Sequence, residues 1–199
     1  MKDQGKYQPL SYFQLMEVTL RELLVEKGIL SEEEIAQEVE AMRNRGYERG
    51  SRVVAHAWLD PGFKARLLQN GTQACEELGL EIPGLKLLVV ENTRDVHNAI
   101  VCTLCSCYPR MLLGIPPDWY KSRSYRSRMV REPRKVLAEF GLVIPDKTQI
   151  RVHDSSADMR YMVLPMRPAG TESWSEERLA GLVNRDCLLG VAVPKGPKD

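Results

Sequence analysis

Residues 97–109 read HNAIVCTLCSCYP, an apolar run that ends in three cysteines, Cys102, Cys105 and Cys107, within six positions. Thiols this close cannot cross-link distant elements, and the total of five leaves one over, so a disulfide scaffold is not expected. A metal or redox site at the end of a buried segment is the expectation instead. Just upstream, LKLLVVEN (85–92) is a second apolar run and reads as a buried strand.

Farther upstream the pattern is helical. Phe13, Met16, Leu20, Leu23 and Leu24 recur at helical spacing over 11–27, with Gly28 as the stop. Ser31 with Glu34 forms a capping box for a second charged helix, whose narrow apolar stripe is Ile35, Val39 and Met42. The pair reads either as an arm embracing another chain or as solvated helices packed on their own domain. Short helices follow over 49–81, one of them opened by Asp60-Pro61.

Downstream of the cysteines, GIPPDWYKSRSYRSR (114–128) reads as a proline-rich turn into a basic helix, and 133–141 as a helix from Pro to Gly. QIRVHDSS and RYMVLPMRP read as a pair of strands around a polar turn at 154–159. SEERLAGLVNRD (175–186) reads as a helix capped by Ser175, and LLGVAVP (188–194) as a last strand. The expected class is α+β: an extended N-terminal helical arm over 1–48, then a mixed α/β layered metal-binding domain over 49–199.

Composition narrows the partners. With 28 basic and 27 acidic residues the net charge is +1, and no dense Lys/Arg run alternates with aromatics, so neither nucleic acid nor an anionic membrane is expected. No stretch approaches the roughly 18 to 20 apolar residues of a membrane span. The N-terminus lacks an apolar leader segment, and the expectation is a soluble cytoplasmic protein.

Two readings of the cluster stay open on spacing alone. Structural zinc wants four tetrahedral ligands, for which His97, Cys75 or Cys187 would have to supply the fourth. Such a site belongs to a non-enzymatic interaction module. Alternatively, Cys105-Ser106-Cys107 offers two sulfurs and, if deprotonated, two amide nitrogens in one plane, with Cys102 as an axial sulfur. Only a strongly Lewis-acidic trivalent ion holds ionised amides, which points to Co(III) or Fe(III).

VCTLCSCYP resembles the metal-binding signature of the nitrile hydratase α-subunit family, which includes the related γ subunit of thiocyanate hydrolase. VVAHAWLDPGFKARLL, VVENTRDVHNAIVCTLCSCYP, LGIPPDWYKSRSYRSRMVREPRKVLAEFG, RYMVLPMRPAGTESWSEERLAGLV and RDCLLGVAVP resemble further segments of that family, in order, from residue 51 nearly to the C-terminus. The resemblance implies the nitrile hydratase α-subunit fold, with Cys102 axial, Cys105 and Cys107 equatorial, and the amides of Ser106 and Cys107 completing the protein ligands. It implies oxidation of Cys105 to sulfinic and Cys107 to sulfenic acid. Thr103 and Tyr108 match the cobalt type, so non-corrin Co(III) is expected, with Fe(III) as the alternative.

The activity implied is hydration of a nitrile to its amide, with Cys107, Ser106 and Tyr108 in the chemistry. The partners implied are β-type subunits, one chain or two, whose arginines meet the cysteine oxygens, together with a metal-loading activator. The family usually continues YPWP, whereas here Arg110 follows Pro109. A cation at that position favours an anion, and thiocyanate hydrolase, which releases carbonyl sulfide and ammonia, resembles this chain there. Arg110 and Trp119 are the expected substrate contacts. His97 reads as a core histidine, Asp118 as a helix cap, and Cys75 and Cys187 as buried apolar thiols.

Overall fold

Ser11 opens the first helix, α1 (Tyr12–Glu26), by a reciprocal cap: its backbone N–H donates to Gln14 Oε1 at 2.9 Å and its Oγ accepts from the Gln14 N–H at 3.4 Å. The helix stops before Gly28, whose φ of +65° suits a glycine. The expected box at Ser31 forms in the same way, with Ser31 N–H to Glu34 at 2.8 Å and Glu34 N–H to Ser31 Oγ at 3.1 Å, and starts α2 (Glu32–Asn44). Neither helix buries a residue, and Tyr12, Phe13, Leu15, Met16 and Leu20 are all exposed.

The computed structural model describes residues 10–197. Within it the chain parts into two units between Arg43 and Asn44, and α1 and all but the last residue of α2 lie in the first. The first nine residues of the expected arm lie outside the described residues. Among the described residues no helix is long and apolar enough to cross a membrane.

The second unit is a mixed α/β body. It begins with α3 (Glu48–Leu59), α4 (Pro61–Gln69) and α5 (Gly71–Glu77). Asp60 caps α4 by accepting from the N–H groups of Gly62 and Phe63, with Pro61 at the first turn, as its sequence requires. Strands β1 (Lys86–Glu91) and β2 (Val96–Val101) follow, then four short helices: α6 (Arg110–Leu113), α7 (Asp118–Lys121), α8 (Arg123–Met129) and α9 (Pro133–Glu139). Strands β3 (Gln149–Asp154) and β4 (Met159–Leu164) and helices α10 (Glu176–Ala180) and α11 (Arg185–Leu189) complete it.

Several local expectations need correction, among them the single helix over 175–186, which ends at Ala180 and gives way to a separate α11 from Arg185, capped by Asn184. β3 and β4 do not pair with each other. β4 runs parallel to β1, with Lys86 opposite Met159, and β3 runs parallel to β2, with Val101 opposite Asp154. The expected basic helix breaks in two at Ser122, whose hydroxyl caps α8 through Tyr125 N–H. Residues 188–194 are not a strand: they finish α11 and turn at Gly190, whose φ of +77° and close approach to the Asn98 carbonyl leave no room for a Cβ.

The core lies between the strands and α3, α4, α5, α8, α9 and α11, with Val53, Phe63, Leu67, Leu87, Ile100, Met162, Leu164 and Leu188 sealed from solvent. Each such side chain contributes about 1.5 to 3 kcal/mol of burial. A polar network crosses this core. His97 donates to the Gly190 carbonyl at 2.8 Å, and Asn98 receives His153 Nε2 at 2.8 Å while donating to the Glu91 carbonyl at 2.7 Å. His97 is thus the core histidine expected of it.

Candidate metal centre

The strand fixes the first ligand. β2 is buried almost throughout, and Cys102, the residue after it, has no solvent exposure. The chain then turns outward, leaving Cys105 exposed and Cys107 half-buried. Ser106 makes the return, with a φ of +67°, and is the one non-glycine residue at positive φ among those described. That conformation costs about 1 to 2 kcal/mol for an L-residue and marks a segment whose geometry is imposed by its surroundings.

The consequence is a compact sulfur set. Cys105 Sγ lies 3.6 Å from Cys102 Sγ and 2.8 Å from Cys107 Sγ, and all three fall within 4.8 Å of one another. Among the described residues no fourth Cys, His, Asp or Glu joins this group. Cys75 and Cys187 are buried elsewhere, in α5 and α11.

Electrostatics differ across the three thiols. Burial pushes Cys102 up, but the backbone N–H groups of Cys105, Cys107 and Leu104 converge on its sulfur and carry it below its ordinary value. The Cys105 amide is one of these donors, at 3.3 Å. Cys107 is pushed up to about 12 by burial and by its hydrogen bond with Cys105, against the pull of the Arg160 guanidinium. The loop therefore stabilises one thiolate by itself and leaves another to be ionised by a cation.

Side chains from β3, α7 and α8, with one backbone N–H just after β3, hold the loop. The Thr103 backbone N–H and hydroxyl both donate to the Asp154 carboxylate, at 2.9 and 2.6 Å, at the end of β3. Arg126 of α8 donates to the Leu104 carbonyl at 2.9 Å. Tyr120 of α7 donates to the Cys107 carbonyl at 2.8 Å, and Tyr125 of α8 to the Ile100 carbonyl at 2.7 Å. Ser155 N–H reaches back to the Val101 carbonyl at 2.7 Å.

The remaining expected site residues fall into two groups. Ser106 and Tyr108 belong to the loop: the Ser106 hydroxyl is half-buried, and the buried Tyr108 phenol donates to the Leu113 carbonyl at 3.3 Å. Burial carries the Tyr108 phenol above its ordinary range. Arg110 stands exposed at the start of α6. Trp119 packs edge-on against Tyr125 and Phe140, each at 4.8 Å between centroids. Asp118 does not cap α7; it is the first helical residue and pairs with Lys121 at 2.8 Å. The contacts that Asp154, Tyr120 and Arg126 make with the cysteine loop were not foreseen, because nothing local to them signals a contact with the cysteines.

Three soft sulfur donors at these separations, with amide nitrogens turned inward, suit a thiophilic transition metal. The family model for nitrile hydratase, alpha chain, matches residues 11–192. The chain belongs to the nitrile hydratase α-chain family.

The α subunit of a low-molecular weight cobalt-containing nitrile hydratase from Rhodococcus rhodochrous is 52% identical over 177 residues, covering 88% of this chain and 86% of that one. The γ subunit of thiocyanate hydrolase from Thiobacillus thioparus is 44% identical over 198 residues, covering 94% and 82%. Among solved structures, a recombinant thiocyanate hydrolase comprising partially modified cobalt centres matches with a TM-score of 0.87 at 43% identity, covering 95% of this chain and 93% of that one. A double mutant of the Fe-type nitrile hydratase from Comamonas testosteroni Ni1 also gives 0.87 at 43% identity, covering 96% and 94%. The nitrile hydratase α-chain fold thus extends over nearly all of this chain, while its relatives differ in metal and in substrate.

Proposed function

We propose that this chain is the metal-carrying α-type subunit of a cytoplasmic, hetero-oligomeric nitrile hydratase, converting R–C≡N and water to R–CO–NH2. Non-corrin Co(III) would be held by Cys102, Cys105 and Cys107 and by the backbone nitrogens of Ser106 and Cys107. The observation that carries the reading is the convergence of three sulfurs around the positive-φ turn at Ser106. When bound, a trivalent ion supplies Lewis acidity toward water and toward a nitrile.

The chain's own residues prepare the rest. Cys102, buried and surrounded by amide donors, is already inclined to the thiolate. Its burial also shields it from oxidants, whereas exposed Cys105 and half-buried Cys107 are open to the sulfinic and sulfenic states assigned to them. Tyr120 and Arg126 fix the carbonyls of Cys107 and Leu104, so the oxidised sulfurs keep their direction. Leu104 is 86% exposed beside Cys105, an apolar side chain at the mouth of a catalytic loop. This supports a site completed by β-type subunits, in one chain or two; loading of the metal by an activator protein is part of the same proposal. We assign Tyr108, whose phenol is committed to Leu113, to shaping the loop.

One observation favours a second substrate. Arg110 is exposed, and among the described residues no hydrogen bond or ion pair engages its side chain, which leaves a cation available to an anion such as thiocyanate. Thiocyanate and two waters would then give carbonyl sulfide, ammonia and hydroxide. Trp119 would wall the pocket in either case.

Metal analysis and peptide mass spectrometry on the complex, co-expressed with its partner chains, test the proposal. Stoichiometric cobalt with oxygens on the Cys105 and Cys107 peptide is expected. Zinc with unmodified cysteines would instead assign the chain to a structural zinc module. Product analysis with a nitrile and with thiocyanate decides the substrate.

A further inference from the structure

The cysteine loop hangs from the end of β2, and one side chain outside it determines where its first turn sits. Asp154 is the last residue of β3 and lies opposite Val101, the last residue of β2, in the parallel register. Its two carboxylate oxygens take separate partners on one residue, the backbone N–H of Thr103 at 2.9 Å and the Thr103 hydroxyl at 2.6 Å. Thr103 stands between the buried Cys102 and the exposed Cys105. Its amide direction therefore sets the direction in which the chain leaves Cys102, and with it the 3.6 Å separation of those two sulfurs.

We propose that Asp154 is a positioning residue, a carboxylate clamp that presets the Cys102–Cys105 spacing before metal enters by holding both the amide and the hydroxyl of Thr103. The inference rests on the metal-centre reading above. Two bonds to one carboxylate define an orientation as well as a distance, which a single bond does not. The clamp grips only the first half of the loop; Tyr120 holds the Cys107 carbonyl independently. Loss of the clamp should thus disturb Cys102 and Cys105 relative to each other while leaving Cys107 in place. Outer partners of metal ligands of this kind change metal affinity by about 10- to 100-fold when removed, and the exposure of Thr103 and Asp154 puts this one near the lower end.

The test uses the co-expressed complex with Asp154→Ala, Asp154→Asn, Thr103→Val and Thr103→Ser. Asp158→Ala serves as a control that removes the same charge from the neighbouring turn. Cobalt stoichiometry under limiting metal, the sulfur-to-cobalt absorption band, and amide exchange at Thr103 in metal-free protein are measured. Asp154→Ala is expected to lower cobalt retention about tenfold, to move the band and to speed Thr103 exchange. Thr103→Val should show a smaller loss, and Thr103→Ser and Asp158→Ala none. If Asp154→Ala fails to fold, Thr103→Val and Asp154→Asn carry the same comparison.

Wild-type cobalt content and spectrum in both Asp154→Ala and Thr103→Val would overturn the clamp while leaving the metal centre intact. A wild-type complex that takes up no cobalt would overturn the functional reading, and the role of the clamp in metal binding with it. Equal effects of Asp154→Ala and Asp158→Ala would reduce the clamp to a general charge effect and also overturn it.

Discussion

The Tyr120 hydroxyl donates to the carbonyl oxygen of Cys107 at 2.8 Å, from a ring with no solvent exposure. The ring itself is fixed by Tyr108, edge-on at 5.3 Å, and by Trp119 at 5.9 Å. Burial raises the phenol above its ordinary range, so it stays a donor at any pH the protein meets. The second half of the cysteine loop is therefore anchored to α7 through one hydrogen bond from an aromatic cluster.

Replacing Tyr120 by Phe keeps the packing and removes that donor, leaving the Cys107 carbonyl unpaired. A loss of about 1 kcal/mol in stability is expected, together with a shifted cobalt absorption band in the loaded complex. Thermal unfolding and visible spectra check both. An unchanged spectrum would show that the bond supports the fold without orienting the ligand.

The cysteine cluster, the helix caps at Ser31 and Asp60, strand β1 and the apolar run that becomes β2 could be read from sequence, because each signal is local: a spacing, a capping side chain or a short apolar run. The pairing of β3 and β4 could not. Two adjacent strands around a polar turn resemble a hairpin, and only their burial against β1 and β2 makes them parallel partners of distant segments. Residues 188–194 failed for another reason. A short apolar run does not distinguish a strand from a buried helix end, and Gly190 closes the helix because Asn98 approaches it too closely for any side chain. In the site, the three sulfurs were legible and their supports were not. Asp154 lies 51 residues from Thr103 in sequence, and its partner is a backbone N–H as much as a side chain.

Arg110 supplies a test of substrate charge. Arg110→Gln should raise KM for thiocyanate by about two- to fivefold, the range for one exposed, partly screened charge contact. KM for a neutral nitrile should change less. Added salt should imitate the substitution for thiocyanate alone. Equal effects on both substrates would mean that Arg110 meets a partner chain or the loop backbone rather than the anion.

Acid should weaken the fold through its two network histidines. Burial lowers both His97 and His153, with Arg151 adding to the second, from an ordinary value of 6.5. The native state thus binds fewer protons than the unfolded chain, so their contribution is complete above pH 6.5 and is lost as pH falls through the lowered values. His153→Gln keeps a donor toward Asn98 without titrating. Urea unfolding between about pH 7 and 5 should give a shallower pH slope for this variant than for wild type. Matching slopes would remove His153 from the account.

Alkali acts through a different buried group. Cys75 has no solvent exposure, and burial, with Glu76 adding, raises its thiol from 9.0 to about 12. The native state here holds its proton more tightly than the unfolded chain, so the stabilisation is present below pH 9.0 and is lost as pH rises toward 12. Between about pH 8 and 10.5 this one thiol should cost roughly 2 kcal/mol. Cys75→Ala removes the titration and leaves a small cavity, costing about 1 kcal/mol at neutral pH. Denaturant unfolding of both proteins at the two pH values should therefore show the variant less stable at the lower and more stable at the higher. If the variant stays less stable at both, Cys75 ionises without cost, and the alkaline sensitivity belongs to Tyr108, Tyr120 and Tyr125, whose phenols burial also raises.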